Sequence, residues 1–338
     1  MGPGRRLGED AGQMLAGMKR IAVICEEKTE YTLDIVNAVY LPRGVDVYWR
    51  RELGVKDIIA IYRGHDIVVV NGYTGWDYWF GFILNAWGFR RIVGIDSDSQ
   101  PEEPQNRLRR QIKTALLKWL YSKPWCWGLA GGTGVHRKAF MQYGMPETRI
   151  VLNPMVSRKH LAGDEPKRKP GFSFGYVGRL VPHKQVAGIL QAWTQAAIPE
   201  ASMVVIGDGV DKARLEQDYP EVQFTGKLAG AELAQAMANL NCLVLWSAYE
   251  PWGLVVNEAL AFGVPVIVSD KVGAREDLVE DKGTGIVVAH NDLPGLVEAM
   301  RRMHQEAATM RGNCLKTADK WDLNFHARCW DKWIEALP

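Results

Sequence analysis

Residues Asn241 to Val279 read NCLVLWSAYEPWGLVVNEALAFGVPVIVSDKVGAREDLV. The run Cys242 to Trp246 is apolar and short, which predicts a buried strand. A turn containing Glu250, Pro251 and Gly253 follows. The next stretch, from about Gly253 to Phe262, reads as a helix and stops at Gly263 and Pro265. Val264 to Val268 is a second buried strand, ending in the loop Ser269 to Gly273. The order is strand, loop, helix, strand. It carries two carboxylates, Glu250 in the loop and Glu258 just over one turn into the helix.

The spacing has a physical consequence. Gly253 to Glu258 spans about 7–8 Å of helix rise. The N–H groups of Gly253, Leu254 and Val255 lie in the first turn without helical acceptors, so an anion such as a diphosphate fits between the two acids. One carboxylate can then accept hydroxyl hydrogen bonds on one side of the anion and the other on the far side. A nucleotide sugar has that layout of sugar, diphosphate and ribose. Taken alone, the pair reads more readily as two ordinary solvated helix-end charges.

A second motif changes the balance. Gly175-Tyr176-Val177-Gly178-Arg179-Leu180 is followed by Lys184, with a strand ending at Gly178 and a helix starting near Gln185. Two cations beside a helix N-terminus suit the negative charge that builds on a departing diphosphate.

The run SAYEPWGLVVNEALAFGVPVIVSDKVGAREDLV resembles the donor-site signature of the retaining glycosyltransferases of family 4, which have the GT-B fold. Its E-P-aromatic-G-L-V-V-x-E-A-L-A-x-G-x-P core and V-G-x-x-E loop correspond nearly residue for residue. The resemblance implies that Glu250 contacts the donor sugar and Glu258 the ribose hydroxyls, while the amides around Gly253 and Leu254 face the diphosphate. Arg179 and Lys184 are similar to the family's G-R-L-x-x-x-K element, in which both cations bind the diphosphate. Val204 to Gly209 and Val222 to Leu228 resemble its "I-G-D-G" and "F-x-G" strand ends, which implies Lys227 and Leu228 beside the base. Glycines in tight turns account for those two segments equally well. The resemblance is strong over roughly Phe172 to Val288 and covers the first half only in outline.

The rest of the chain sets the bounds. With 338 residues, 47% hydrophobic and 24% charged, it has room for two domains, each with its own core. Forty-one basic against 39 acidic residues point to no nucleic-acid partner. Five scattered cysteines without a C-x-x-C support neither a zinc site nor a disulfide framework, which fits a reducing cytoplasm. No apolar run approaches a membrane span and no signal-peptide core is seen, so the expected location is cytoplasmic, peripheral to a membrane at most.

Residues 1–17 read as a disordered tail. Strand-like runs at Ile21–Cys25, Val45–Trp49, Asp66–Val70, Arg91–Asp96, Cys126–Ala130 and Arg149–Leu152 alternate with helical stretches, which predicts a parallel sheet covered on both faces. Residues 157–170, charged and holding two prolines, are the linker. A second alternating series follows, with helices from about Leu293 to His304 and Ala307 to Thr317. The expected fold is α/β GT-B: two Rossmann-like domains, 18–156 and 171–320, with parallel sheets facing across a cleft and 321–338 packing back on the first.

The first domain departs from the family. Where relatives carry a Gly-Gly loop after the first strand, this chain reads Cys25-Glu26-Glu27-Lys28-Thr29-Glu30. Where many carry a His near the fourth strand, it reads Gly94-Ile95-Asp96-Ser97-Asp98-Ser99. The class implied by the resemblance works by front-face attack without a dedicated protein base, so the missing His is compatible with transfer. Asp96 and Asp98, with Tyr73 and Trp76, are candidates for the acceptor side; capping of the next helix is the other account of the two Asp residues. Residues 106–123 form a basic amphipathic helix with Leu108, Ile112, Leu116, Trp119 and Leu120 on one face. It suits either an anionic membrane surface or packing on its own sheet.

These readings combine into a retaining, metal-independent hexosyltransferase using a nucleotide-sugar donor, UDP favoured, and no cofactor. Its acceptor would be a glycan, lipid-linked or small-molecule hydroxyl. A non-catalytic nucleotide-sugar-binding protein and a GT-B nucleotide-sugar epimerase are the alternatives.

Overall fold

The computed structural model describes residues 19–72, 75–97, 107–156 and 170–338. The tail 1–17 and the linker, apart from Pro170, lie outside the described residues. The chain divides into two units, Met1–Pro154 with Leu323–Pro338, and Met155–Asp322.

In the first unit, β1 (Ile21–Cys25), β2 (Asp46–Trp49), β3 (Ile67–Asn71), β4 (Ile92–Ser97), β5 (Cys126–Ala130) and β6 (Ile150–Leu152) form a parallel sheet ordered β2-β1-β3-β4-β5-β6. The connecting helices are α1 (Glu30–Ile35), α2 (Val55–Gly64), α3 (Trp76–Leu84), α4 (Arg107–Tyr121) and α5 (Val135–Gln142). Successive strand residues point to opposite faces. Ala22, Ile24, Val68 and Val70 accordingly join Ile58 of α2, Phe82 of α3 and Leu120 of α4 in one core. Ile21, Val23, Ile67 and Val69 join Val39, Tyr40 and, from the last helix of the chain, Trp330 and Trp333 in another. Leu117, Leu120 and Tyr121 bring α4 onto the sheet, but Leu108, Ile112, Leu116 and Trp119 stay exposed. Packing of that whole stripe against its own sheet is therefore corrected.

The last helix, Leu323–Ala336, is fastened by Arg43, whose Nε and Nη2 donate to the Asp331 carboxylate at 2.6 and 2.8 Å. Its His326 is buried, with Nδ1 2.9 Å from the Pro154 carbonyl. Burial pushes the His326 pKa down to about 4, opposed by that carbonyl and assisted by the Arg43 charge. Between the ordinary imidazole value and about 4, only the unfolded chain takes up this proton. The contribution is therefore full above about pH 6.5 and is lost as pH falls towards 4, to the extent of about 3 kcal/mol. Urea midpoints of wild type should fall over that interval more steeply than those of His326→Gln; parallel curves would contradict the assignment.

In the second unit, β7 (Phe172–Val177), β8 (Ala201–Ile206), β9 (Gln223–Gly226), β10 (Cys242–Leu245), β11 (Val266–Ser269) and β12 (Gly285–Val288) form a second parallel sheet ordered β12-β11-β10-β7-β8-β9. Its helices are α6 (Val186–Ala196), α7 (Lys212–Asp218), α8 (Gly230–Ala238), α9 (Leu254–Ala261), α10 (Arg275–Leu278) and α11 (Leu293–Lys320), and α12 is the last helix described above. The expected α/β architecture of two parallel sheets is present. One difference is α11, a single helix where the sequence suggests two. Gln305 and Glu306 dilute the apolar pattern there, yet Met303 and Ala307 keep the buried face continuous across them. Among the described residues, no helix is long and apolar enough to cross a membrane.

Candidate functional site

The chain leaves β7 towards β8 on one side of the second sheet, while β10 and β11 lie on the other. Neighbouring strands whose connections diverge leave a crevice at their C-terminal ends, the usual ligand position in such sheets. Both sequence motifs of the second unit exit there, one after β7 and one after β10.

After β7, Gly178 N donates to the Ile206 carbonyl at 3.0 Å and Leu180 N to the Asp208 carbonyl at 2.8 Å. The two loops touch so closely that a Cβ on Gly207, whose φ is +148°, would lie 1.8 Å from the Gly178 carbonyl oxygen. The "I-G-D-G" segment thus supports the Arg179 loop. A tight turn at Pro182–Lys184 then carries Lys184 inward, leaving it 9% exposed. Gln185, at φ 52°, locks this turn by donating from Nε2 to the carbonyls of Trp246 and His290 at 2.9 and 3.0 Å. Ala248 N adds a bond to the His183 carbonyl at 2.8 Å.

After β10, Glu250 forms an isolated parallel bridge with Val272. Its N–H donates to the Lys271 carbonyl at 3.2 Å, and its own carbonyl accepts from Gly273 N at 3.0 Å. Gly253, at φ +92°, caps α9 in a space where a Cβ would press on Leu245, Glu250 and Val272. Below the loop, Trp252 Nε1 donates to Asn257 Oδ1 at 2.7 Å, and Asn257 Nδ2 donates to the Met155 carbonyl at 3.1 Å.

These two loops bring Lys184 and Glu250 into an ion pair, with side chains only 11% and 13% exposed. A buried pair of this kind holds each charge in place for the other, since either alone would be costly. Arg179 lies exposed on the Lys184 loop. Partial burial, together with the Lys184 and Arg179 charges, lowers the pKa of His183 between them in sequence. Leu254 and Glu258 are half-buried on α9. Lys227, exposed, and Leu228, half-buried, follow β9 at the outer end of the same sheet edge.

Residues 157–321 match the family model described as Glycosyl transferases group 1. Over this segment, just under half of the chain, the sequence is similar to that family. A GDP-mannose-dependent alpha-mannosyltransferase of Mycobacterium tuberculosis is 40% identical over 114 residues, 34% of this chain and 29% of the relative. A glycogen synthase of the same organism is 30% identical over 174 residues, 49% of this chain and 42% of the relative. The matches thus span less than half the length of these curated relatives. Among solved structures, Anabaena Alr3699/HepE in complex with UDP and glucose superposes with a TM-score of 0.74 at 18% identity, over 95% of this chain and all of that one. Sucrose-phosphate synthase from Thermosynechococcus elongatus gives 0.72 at 18% identity, over 94% and 98%. The fold is that of the GT-B glycosyltransferases.

The first unit lies outside that match and treats its expected acceptor residues differently. Asp96 closes a junction: Oδ1 accepts from Asn153 Nδ2 at 3.0 Å and Oδ2 from Asn71 Nδ2 at 3.4 Å. The stretch between Asp96 and Arg107 of α4, on which helix capping depends, lies outside the described residues from 98 to 106. Asp98 and Tyr73 lie outside the described residues, as does the side chain of Trp76, which opens α3. In place of a Gly-Gly loop stands a charge network. Arg50 Nη1 donates to Glu26 Oε2 at 2.8 Å, and Arg50 Nε donates to Asp77 Oδ2 at 2.8 Å. Tyr78 OH donates to Glu26 at 3.2 Å, and Thr29 caps α1. Beside the network is a cavity of about 350 Å³ lined by Glu26, Lys28, Trp49 and Glu52, among others. Arg50 and Gln185 escape a sequence reading, since their partners are distant in the chain and only the strand order brings them together.

Proposed function

We propose that the chain is a retaining glycosyltransferase of family 4 type that moves a hexose-type sugar from a nucleoside diphosphate sugar to an acceptor hydroxyl. The observation that carries this reading is the Lys184–Glu250 pair at the sheet's switch point, beside the first turn of α9. In the proposed complex, Lys184 and Arg179 bind the diphosphate together with the amides of Gly253 and Leu254, where a helix N-terminus favours an anion. Glu250 positions the sugar, Glu258 accepts the ribose hydroxyls, and Lys227 and Leu228 lie beside the base. The sugar C1–phosphate oxygen bond breaks and a C1–acceptor oxygen bond forms on the same face. The acceptor proton passes to the leaving diphosphate, whose charge Lys184 and Arg179 stabilise, so no metal is required.

The acceptor, a glycan, lipid-linked or small-molecule hydroxyl, is assigned to the C-terminal edge of the first sheet. Asp96 holds that edge in shape, with Asp98, Tyr73 and Trp76 nearby in sequence and the Trp49 cavity alongside. The setting is the cytoplasm or the cytoplasmic face of a membrane. Uridine is the favoured base, supported by the UDP-bound neighbour. Guanosine is its competitor, because relatives 40% identical over 114 residues are GDP-mannose-dependent. Incubation with UDP-, GDP- and ADP-hexoses and a panel of glycan and glycolipid acceptors tests the reading. Diphosphate release with an α-linked product from an α-linked donor, read by NMR, is the expected result. An inverted product would overturn retention. Donor binding without release for any acceptor would favour the non-catalytic reading, which the closed Glu26–Arg50–Asp77 network supports.

A further inference from the structure

The first unit carries an apolar surface that the transfer reading leaves unused. On α4, Leu108, Ile112, Leu116 and Trp119 are 64%, 52%, 43% and 36% exposed. At helical spacing these four form one stripe, turned away from Leu117 and Tyr121, which anchor the helix to its core. The stripe does not end with the helix. Trp119 lies against Trp79 of α3, ring centroids 6.4 Å apart. One turn beyond Trp79, Ile83 is 42% exposed, and Trp87 in the turn that follows is 86% exposed. Consecutive crossover helices on one face of a parallel sheet lie side by side, which joins the two exposed sets into a two-helix surface. Single exposed apolar residues are ordinary, but a contiguous set of six large ones is the mark of a docking face.

Charge decides the occupant. The overall balance of the chain is only +2, yet residues 78–95 and 104–146 hold ten Lys and Arg and no Asp or Glu. The acids between those stretches are confined to 96–103. Lys118 is exposed between Leu117 and Trp119, and Lys123 Nζ lies 4.7 Å from the Trp119 ring centroid, so cations border the apolar stripe. Arg90 is exposed three residues after Trp87. Two tryptophans, four aliphatic side chains and a cationic margin form a pattern suited to the headgroup level of an anionic bilayer, where indoles sit at the interface and Lys and Arg meet lipid phosphates.

We propose that the α3–α4 face docks the protein on an anionic lipid surface, with Trp87, Ile112, Leu116 and Trp119 entering the interface. This goes beyond glycosyl transfer and is read independently of it. Purified full-length protein is spun with phosphatidylcholine vesicles, with and without phosphatidylglycerol. Wild type should pellet with the anionic vesicles, fail to pellet with the neutral ones, and be released by high salt. Ile112→Asp/Leu116→Asp should lower the partition coefficient at least about tenfold, as expected when apolar area is replaced by carboxylates facing anionic lipid. Both side chains are exposed, so the variant should keep the wild-type circular dichroism and melting temperature, and its nucleotide binding should be unchanged. Equal pelleting with both vesicle types, or equal pelleting of wild type and the folded variant, would overturn the proposal. A wild-type dimer in vesicle-free sedimentation velocity that the same substitutions dissolve would assign the face to a second copy, and also overturn it.

Discussion

Lys184→Ala is expected to lower turnover of the nucleotide sugar by about 10³-fold, the usual loss when a preorganised charge facing a leaving group is removed. The same change strands the Glu250 carboxylate in a position only 13% exposed. Breaking a buried pair from one side costs about 3 kcal/mol or more, so stability should fall as well. Glu250→Ala should show the same double loss, because it strands the ammonium instead. The replacement Lys184→Met/Glu250→Leu separates the two effects. It removes both charges at similar volume and should recover most of the stability while leaving turnover at the level of the single variants. Urea denaturation alongside diphosphate release measures both. A double variant that regained turnover would mean that the pair is only a structural bridge.

Gly207→Ala should destabilise the second unit by about 3 kcal/mol or more, among the larger effects expected for one added methyl. The methyl would have to occupy space 1.8 Å from the Gly178 carbonyl oxygen, and the neighbour is backbone rather than a side chain that can turn away. The backbone there also has φ +148°, a conformation side chains rarely adopt. Relief requires the Arg179 loop to move off β8, so donor affinity should fall with stability. Gly312→Ala provides the opposite sign. Gly312 is an exposed position inside α11 with open space around its would-be Cβ, and the substitution should stabilise by about 0.5–1 kcal/mol. Thermal melts of the two variants check both signs. A neutral Gly207→Ala would contradict the backbone contact on which the loop's position depends.

The central strands were the most legible where they are short runs of Val, Ile and Leu covered on both faces, since such runs read the same way before and after folding. Cys242–Leu245 and Val266–Ser269 are such cases. Helices α2, α7 and α8 were harder, since each is short and presents only one to three buried residues. The candidate site was legible where local spacing sets it, as with Gly253, Leu254 and Glu258 on one loop and helix. It was not legible where topology sets it. Lys184 and Glu250 are far apart in sequence and meet only because β7 and β10 are adjacent. The side-chain amide of Gln185 reaches two strand ends for the same reason. Asp96 shows the same limit: local sequence offers a carboxylate at a strand end, and only the fold brings the two asparagines that bond to it.

The proposed function requires the crevice between β7 and β10 to hold a nucleoside diphosphate on Lys184 without a metal. Titration calorimetry of UDP, GDP and ADP, and of their hexose conjugates, into wild type and Lys184→Ala in EDTA tests it most directly. One nucleotide family should bind wild type in EDTA, with affinity for the diphosphate reduced by at least about tenfold in the variant, as expected for loss of one charge-assisted contact. Equal affinity in wild type and a folded Lys184→Ala, or binding that disappears with EDTA, would contradict the account.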